Sequence, residues 1–151
     1  MIRTITLAAI FVLIAGCSTT STVHQAPQLQ PTQTYSYSFS NEGGDDLEGV
    51  KRLDDVIQTH LREAGLTGSG NSNAIIQVIV KHYYVRSNGA RFMAGIMAGR
   101  DKILSNVRVV GTDGSQLGNF DVETFNSTAW GTTDGLMKKH AEEIVSKLKS
   151  S

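Results

Sequence analysis

Cysteine is almost missing from this chain: Cys17 stands alone. A single thiol excludes an internal disulfide and any zinc site built from several cysteines. Proline is confined to Pro27 and Pro31. No sign of charge dominates, because 14 Lys and Arg meet 14 Asp and Glu. The molecule therefore lacks the strong global field that points to nucleic acid. Long hydrophobic runs are lacking too. The longest, Ile5 to Gly16, is broken only by Thr6. Its ~12 residues reach ~18 Å as a helix, well short of a ~30 Å hydrocarbon core. A permanent span is excluded at that length.

What is present at the start has a recognisable layout. Arg3 supplies a positive charge, the apolar run follows, and Ala15 and Gly16 are small. That is the plan of a secretory signal peptide. Ile14-Ala15-Gly16-Cys17 resembles the bacterial lipoprotein signal, in which an aliphatic residue and two small ones precede the cysteine. The resemblance implies cleavage before Cys17, a diacylglycerol on its sulfur and an acyl group on the new amine. Two or more chains are needed for stable anchoring. A lipidated Cys17 leaves no thiol for a nucleophile. Ser18 follows it rather than Asp. By resemblance to enterobacterial lipoproteins, that directs the protein to the inner leaflet of the outer membrane, facing the periplasm.

Residues 1–16 are thus expected to be signal peptide, 17–34 a lipidated tether and 35–151 one folded domain. The tether expectation rests on STTSTVHQAPQLQPTQT, which has no Asp, Glu, Lys or Arg and few apolar side chains. Such a segment buries too little surface to order itself. As a flexible coil it would hold the domain roughly 23 Å from the membrane. The ~135 residues from Cys17 onward suffice for one hydrophobic core.

From Tyr35 the pattern becomes regular. Tyr35, Tyr37 and Phe39 alternate with serines, which predicts a half-buried strand. Asp45 and Glu48 form a capping-box spacing. Leu47, Val50, Leu53, Ile57, Leu61 and Ala64 then share one helical face, and Gly65 is placed to end the helix. Gly65 to Asn73 is glycine-rich but leads from helix into strand, the wrong order for a phosphate loop. Ala74 to Arg86 reads as a central strand, with Ile76, Val78, Val80, His82 and Tyr84 on one side and Ile75, Gln77, Ile79, Lys81, Tyr83 and Val85 on the other. Ile103 to Thr112, an Asp113-Gly114 turn and Leu117 to Asn126 predict a hairpin. Thr132 to Lys149 predicts a closing helix with Met137, Ala141, Ile144 and Leu148 as its stripe. The order βαβββα gives an α+β, two-layer sandwich: a four-stranded mixed sheet with two helices on one face.

One segment breaks the pattern. Gly89 to Arg100 reads GARFMAGIMAGR, with alanine or glycine recurring every four residues. Arg91, Phe92, Met93, Gly95, Ile96, Met97, Gly99 and Arg100 make it the candidate partner surface. It packs on its own domain, meets an envelope protein or dips into a membrane; as a helix it is too short to span. This segment, the strand Ile103 to Val110 and the Asp113-Gly114 turn into Gln116 to Phe125 resemble a family of bacterial lipoproteins, catalogued as domain of unknown function 4410. The likeness runs from about Val50 onward. It implies an envelope lipoprotein with no assigned reaction and carries over no catalytic residue.

Catalytic groupings are not legible. His24, His60, His82 and His140 fall one per segment, without metal-ligand spacing. Asp54-Asp55 and Glu142-Glu143 are helix neighbours, which diverge. No serine has the sharp elbow of a nucleophile, and Trp130 reads as a core plug. Six basic residues against Asp101 between Lys81 and Arg108 read as a polar sheet edge or a face for anionic headgroups or glycan phosphates. The expectation is a non-enzymatic lipoprotein held by its lipid, an interaction or assembly module without cofactor, metal or nucleic acid. The alternative is a module binding a small ligand or glycan on the sheet.

Overall fold

The computed structural model describes residues 17–30, 32–68, 72–86, 100–126 and 132–150. Among them are five strands and two long helices. In chain order these are β1 (Cys17–Gln25), β2 (Ser36–Asn41), α1 (Leu47–Glu63), β3 (Ala74–Tyr84), β4 (Lys102–Gly111), β5 (Gln116–Asn126) and α2 (Thr133–Lys149). The sheet order is β1-β5-β4-β3-β2. β2 and β3 are parallel across the α1 crossover, and the other pairs are antiparallel. The fold is α+β and mixed, as expected, with one strand more than the four expected.

The added strand is β1, which corrects the tether. Cys17 to Gln25 pairs along β5 from Asn126 to Asn119. Thr19, Thr20, Thr22 and Val23 are β-branched and suit extended backbone. An edge strand needs few apolar side chains, since its main chain supplies the bonds. Its inward Ser21 hydroxyl reaches Glu143 of α2. The residues after β1 are held as well. Pro27 is buried against Gly118, where an added Cβ would lie 2.8 Å from the Pro27 Cα. Gln28 N–H donates to Leu117 O at 2.8 Å, and Gln30 N–H to the Tyr35 hydroxyl at 2.6 Å.

The helices end by the expected chemistry, with one shift. Asp46 rather than Asp45 caps α1, accepting from Gly49 N–H at 2.9 Å. Gly65 takes φ +72°, Gly65 N–H bonds Arg62 O, and Leu66 N–H bonds Leu61 O. This paired closure is the Schellman motif, which favours glycine at the left-handed residue. Thr132 caps α2 through Gly135 N–H at 3.0 Å.

Both helices cover one face of the sheet. Leu53, Ile57 and Leu61 of α1 and Leu136, Met137, Ala141, Ile144 and Leu148 of α2 are buried on Ile76, Val78, Val107, Val109, Phe120 and Val122. A bulge between Val80 and His82 corrects the expected facing of β3. One extra residue reverses the alternation beyond it. Tyr83 therefore turns into the core, while His82 and Tyr84 are exposed.

Candidate functional site

The strand registers bring several chemically distinct residues to one end of the sheet. Cys17 pairs with Asn126 at the outset of β1. One step inward, Tyr84, Lys102, Phe125 and Ser18 lie side by side across β3, β4, β5 and β1. Ile103 and Thr124, their chain neighbours, are buried beneath the helices, so this row lies on the open face. The Arg100 guanidinium sits 5.8 Å from the Phe125 ring centre, in cation–π range. Lys102 pairs with Glu123 at 2.8 Å.

A buried ion pair closes this end. Asp101 is 1% exposed, and its Oδ1 accepts from Arg86 Nε at 2.9 Å and from Arg86 N–H at 3.0 Å. Asp101 O accepts from Asn126 N–H at 3.1 Å, tying the pair to β5. Arg86 O accepts from the Thr133 hydroxyl at 3.3 Å, tying it to α2. A desolvated charge needs this many partners. Both helices start here, and Arg52 of α1 bonds Asp134 of α2. Between them lies an open cleft of about 260 Å³ lined by Asp46, Arg52, Tyr83, Arg86 and Asp134.

Of the sequence-derived site residues, Cys17 and Arg100 come to this end. Arg100 is exposed. Arg91, Phe92, Met93, Gly95, Ile96, Met97 and Gly99 lie outside the described residues, as does Trp130. The flanks of that segment, Arg86 and Arg100, both belong to the Cys17 end.

Sequence reasoning missed a polar ladder across the open face. Arg108 Nε donates to Asn106 Oδ1 at 2.9 Å. Asn106 Nδ2 donates to Asn119 Oδ1 at 2.7 Å and to Asp121 Oδ1 at 2.8 Å. Asp121 Oδ2 lies 2.8 Å from His24 Nε2 on β1. Burial pushes the Asp121 carboxyl up, but bonds from His24 and Asn106 and the charges of His24 and Lys81 outweigh it. The carboxyl ends below its usual range. The ladder offers planar amides, a carboxylate and a guanidinium, the groups that grip a polar ligand. His24 and Asp121 are 97 positions apart, so only strand pairing reveals them.

A second missed group lies inside the core. His140 of α2 is fully buried, with Nδ1 3.0 Å from Thr124 Oγ1 and Nε2 2.9 Å from Ser105 Oγ. One nitrogen donates and the other accepts, and rotating hydroxyls accommodate either tautomer. Burial pushes the imidazole down to about 3. His140 stands three residues after Met137 and four before Ile144, within the apolar stripe, which was the available signal.

The paired carboxylates act separately. Asp54 accepts from the Tyr37 hydroxyl at 2.7 Å, while Asp55 pairs with Lys51 at 2.9 Å. Burial and the Asp54 carboxylate raise the Tyr37 phenol above its usual range. Among the described residues, no group of three or more His, Cys, Asp or Glu is placed to hold a metal ion. No described helix is long and apolar enough to cross a membrane.

The chain is similar to the PelC dodecamer from Paraburkholderia phytofirmans, at TM-score 0.62 and 10% identity. The match covers 87% of this chain and 97% of that one. A leucine-to-methionine variant of that dodecamer matches at TM-score 0.65 and 11% identity, over the same shares. At such identities the likeness establishes a common fold. No family model matches the chain, and no curated protein matches it in sequence.

Proposed function

We propose that this chain is a lipid-anchored envelope protein that works by assembling with copies of itself rather than by catalysis. The fold likeness to PelC carries the reading, because it spans 97% of a chain that forms a dodecamer. The sheet suits such a role: among the described residues, β1 and β2 are its outer strands, each paired on one side only. Cys17 bears the lipid, and the inner leaflet of the outer membrane, facing the periplasm, is the compartment. The sequence resemblance to the lipoprotein family named above points the same way. The test is the mass of the lipidated protein in mild detergent, by light scattering or native mass spectrometry. An oligomer of about the mass of a dodecamer is expected; a monomer at all concentrations overturns the reading. Cys17→Ser separates anchoring from assembly, because it should release the protein from membranes.

A second reading has its own observation. The Arg108–Asn106–Asn119–Asp121–His24 ladder fits a glycan or small polar ligand on the open face. Replacing Arg108 and Asp121 by Ala should then abolish retention on a glycan array while leaving the oligomer mass unchanged.

A further inference from the structure

We infer that the Cys17 end of the sheet is seated in the headgroup layer of the bilayer that holds its own lipid, with no stand-off between membrane and domain. This rests on the reading of Cys17 as the lipidated residue. The first support is the register. β1 begins at Cys17 itself, opposite Asn126. Each strand residue spans ~3.3 Å and neighbouring strands lie ~4.8 Å apart, so the row Ser18, Phe125, Lys102 and Tyr84 is one residue step from the level of Cys17 and runs roughly 14 Å across the sheet at that level.

The second support is the character of that end. Among the described residues the exposed large hydrophobic ones are Val23, Leu47 and Tyr84. Two of these three lie here. Tyr84 is 49% exposed on the open face, and Leu47, at the start of α1, is 72% exposed. Gly43 O accepts from Tyr83 N–H, and an added Cβ on Gly49 would meet the Tyr83 hydroxyl, which places the α1 start at this level. Tyrosine beside long cationic side chains is the composition of a membrane interface: the ring takes the apolar side and the charged heads reach water. Arg100 stacked on Phe125 supplies the same pairing. The opposite end of β4 and β5 differs. It is the turn through Thr112, Asp113, Gly114, Ser115 and Gln116, all exposed and none of them apolar and large.

The third point fixes the kind of lipid contact. Asp45, Asp46, Glu48 and Asp134 stand at the helix starts on this end. They offset Arg100 and Lys102, so attraction to anionic lipid is not the driving term. Seating comes from the anchor with Leu47, Tyr84 and Phe125, and a zwitterionic phosphatidylethanolamine surface suffices.

The experiment uses the full lipidated protein reconstituted in phosphatidylethanolamine–phosphatidylcholine vesicles. Acylation of Cys17 leaves one reactive thiol in each of two variants, Lys102→Cys at the seated end and Thr112→Cys at the far turn. A fluorophore on each thiol is quenched by lipids carrying a nitroxide on the headgroup. Flotation of the vesicles is read first. Floating protein quenched several-fold more at 102 than at 112 is the expected result, little changed by adding phosphatidylglycerol. Leu47→Ser with Tyr84→Ser in the Lys102→Cys background should reduce that contrast while the protein still floats. Floating protein with equal or no quenching at the two positions overturns the seating and turns this end toward a partner protein instead. Protein that does not float overturns the anchoring and the seating together.

Discussion

On the face under the helices, cohesion is apolar and dense. Ile76, Val78, Val107, Val109, Phe120 and Val122 are fully buried there, each contributing on the order of 1.5–3 kcal/mol by leaving water. On the open face the same strands present Gln77, Arg108, Asn106, Asn119, Asp121 and Glu123, bonded mostly to one another. One backbone thus supports an apolar covered surface and a mixed open one, where Ile75, Ile79, Leu104 and Val110 lie among the polar groups, because side chains alternate along every strand. The covered face holds the fold together.

The comparison breaks most visibly when the covered face is emptied. Phe120→Ala should cost about 3–5 kcal/mol in chemical denaturation, as a large cavity does in a rigid core. A loss no larger than that of an open-face substitution would show that the helices do not cover Phe120.

A smaller effect tests the polar exception within that face. The folded-state pKa of His140 is depressed to about 3, against about 6.5 when unfolded. Between those values the unfolded chain binds the extra proton, so stability falls as pH drops through this window. The slope should approach ~1.4 kcal/mol per pH unit. Asp121, whose carboxyl is held below its usual range, adds its own loss only in more acid solution. Urea midpoints compared at pH 7 and pH 5 therefore sample the His140 contribution before that of Asp121. His140→Leu should flatten the dependence in that interval, and an unchanged slope would assign it elsewhere.

The open face should respond more weakly. Asp121→Asn removes a half-exposed carboxylate from the ladder, and its effect should stay within ~1 kcal/mol, as for exposed pairs. A loss as large as that of Phe120→Ala would make the ladder structural. The smallest change sharpens the edge. Thr19 Oγ1 is buried and, among the described residues, has no hydrogen-bond partner. Thr19→Val keeps the shape and removes the unpaired hydroxyl, so stability should hold or rise by up to ~1 kcal/mol in thermal melts.

The sequence displayed those elements whose side chains must alternate to build a core. β3, β4, β5 and both helices were legible because Ile, Val and Leu recur with the period of their structure. β1 was not, since STTSTVHQ has hydroxyls where a buried strand would have aliphatics. Its place comes from main-chain bonds to β5, which composition does not record. The bulge at Val80 and His82 was hidden for the same reason: an inserted residue changes facing without changing the residues. At the Cys17 end, Ile14-Ala15-Gly16-Cys17 was legible as a pattern. Its neighbours Phe125, Lys102 and Tyr84 were not, because strand pairing alone makes them adjacent. The ladder to His24 is invisible to any reading of residues 17–34 as a tether, because it exists only through the pairing of β1 with β5.

The edge strand and the proposed seating both require that the folded domain reach Cys17. Amide hydrogen exchange across Ser18 to Gln25, resolved residue by residue in the detergent-solubilised protein, tests this directly. Pairing with β5 predicts that alternate amides in this stretch, those aimed at β5, exchange far more slowly than in an unstructured peptide. Uniformly fast exchange from Ser18 to Gln25 would contradict it, restoring a tether and detaching Cys17 from the sheet.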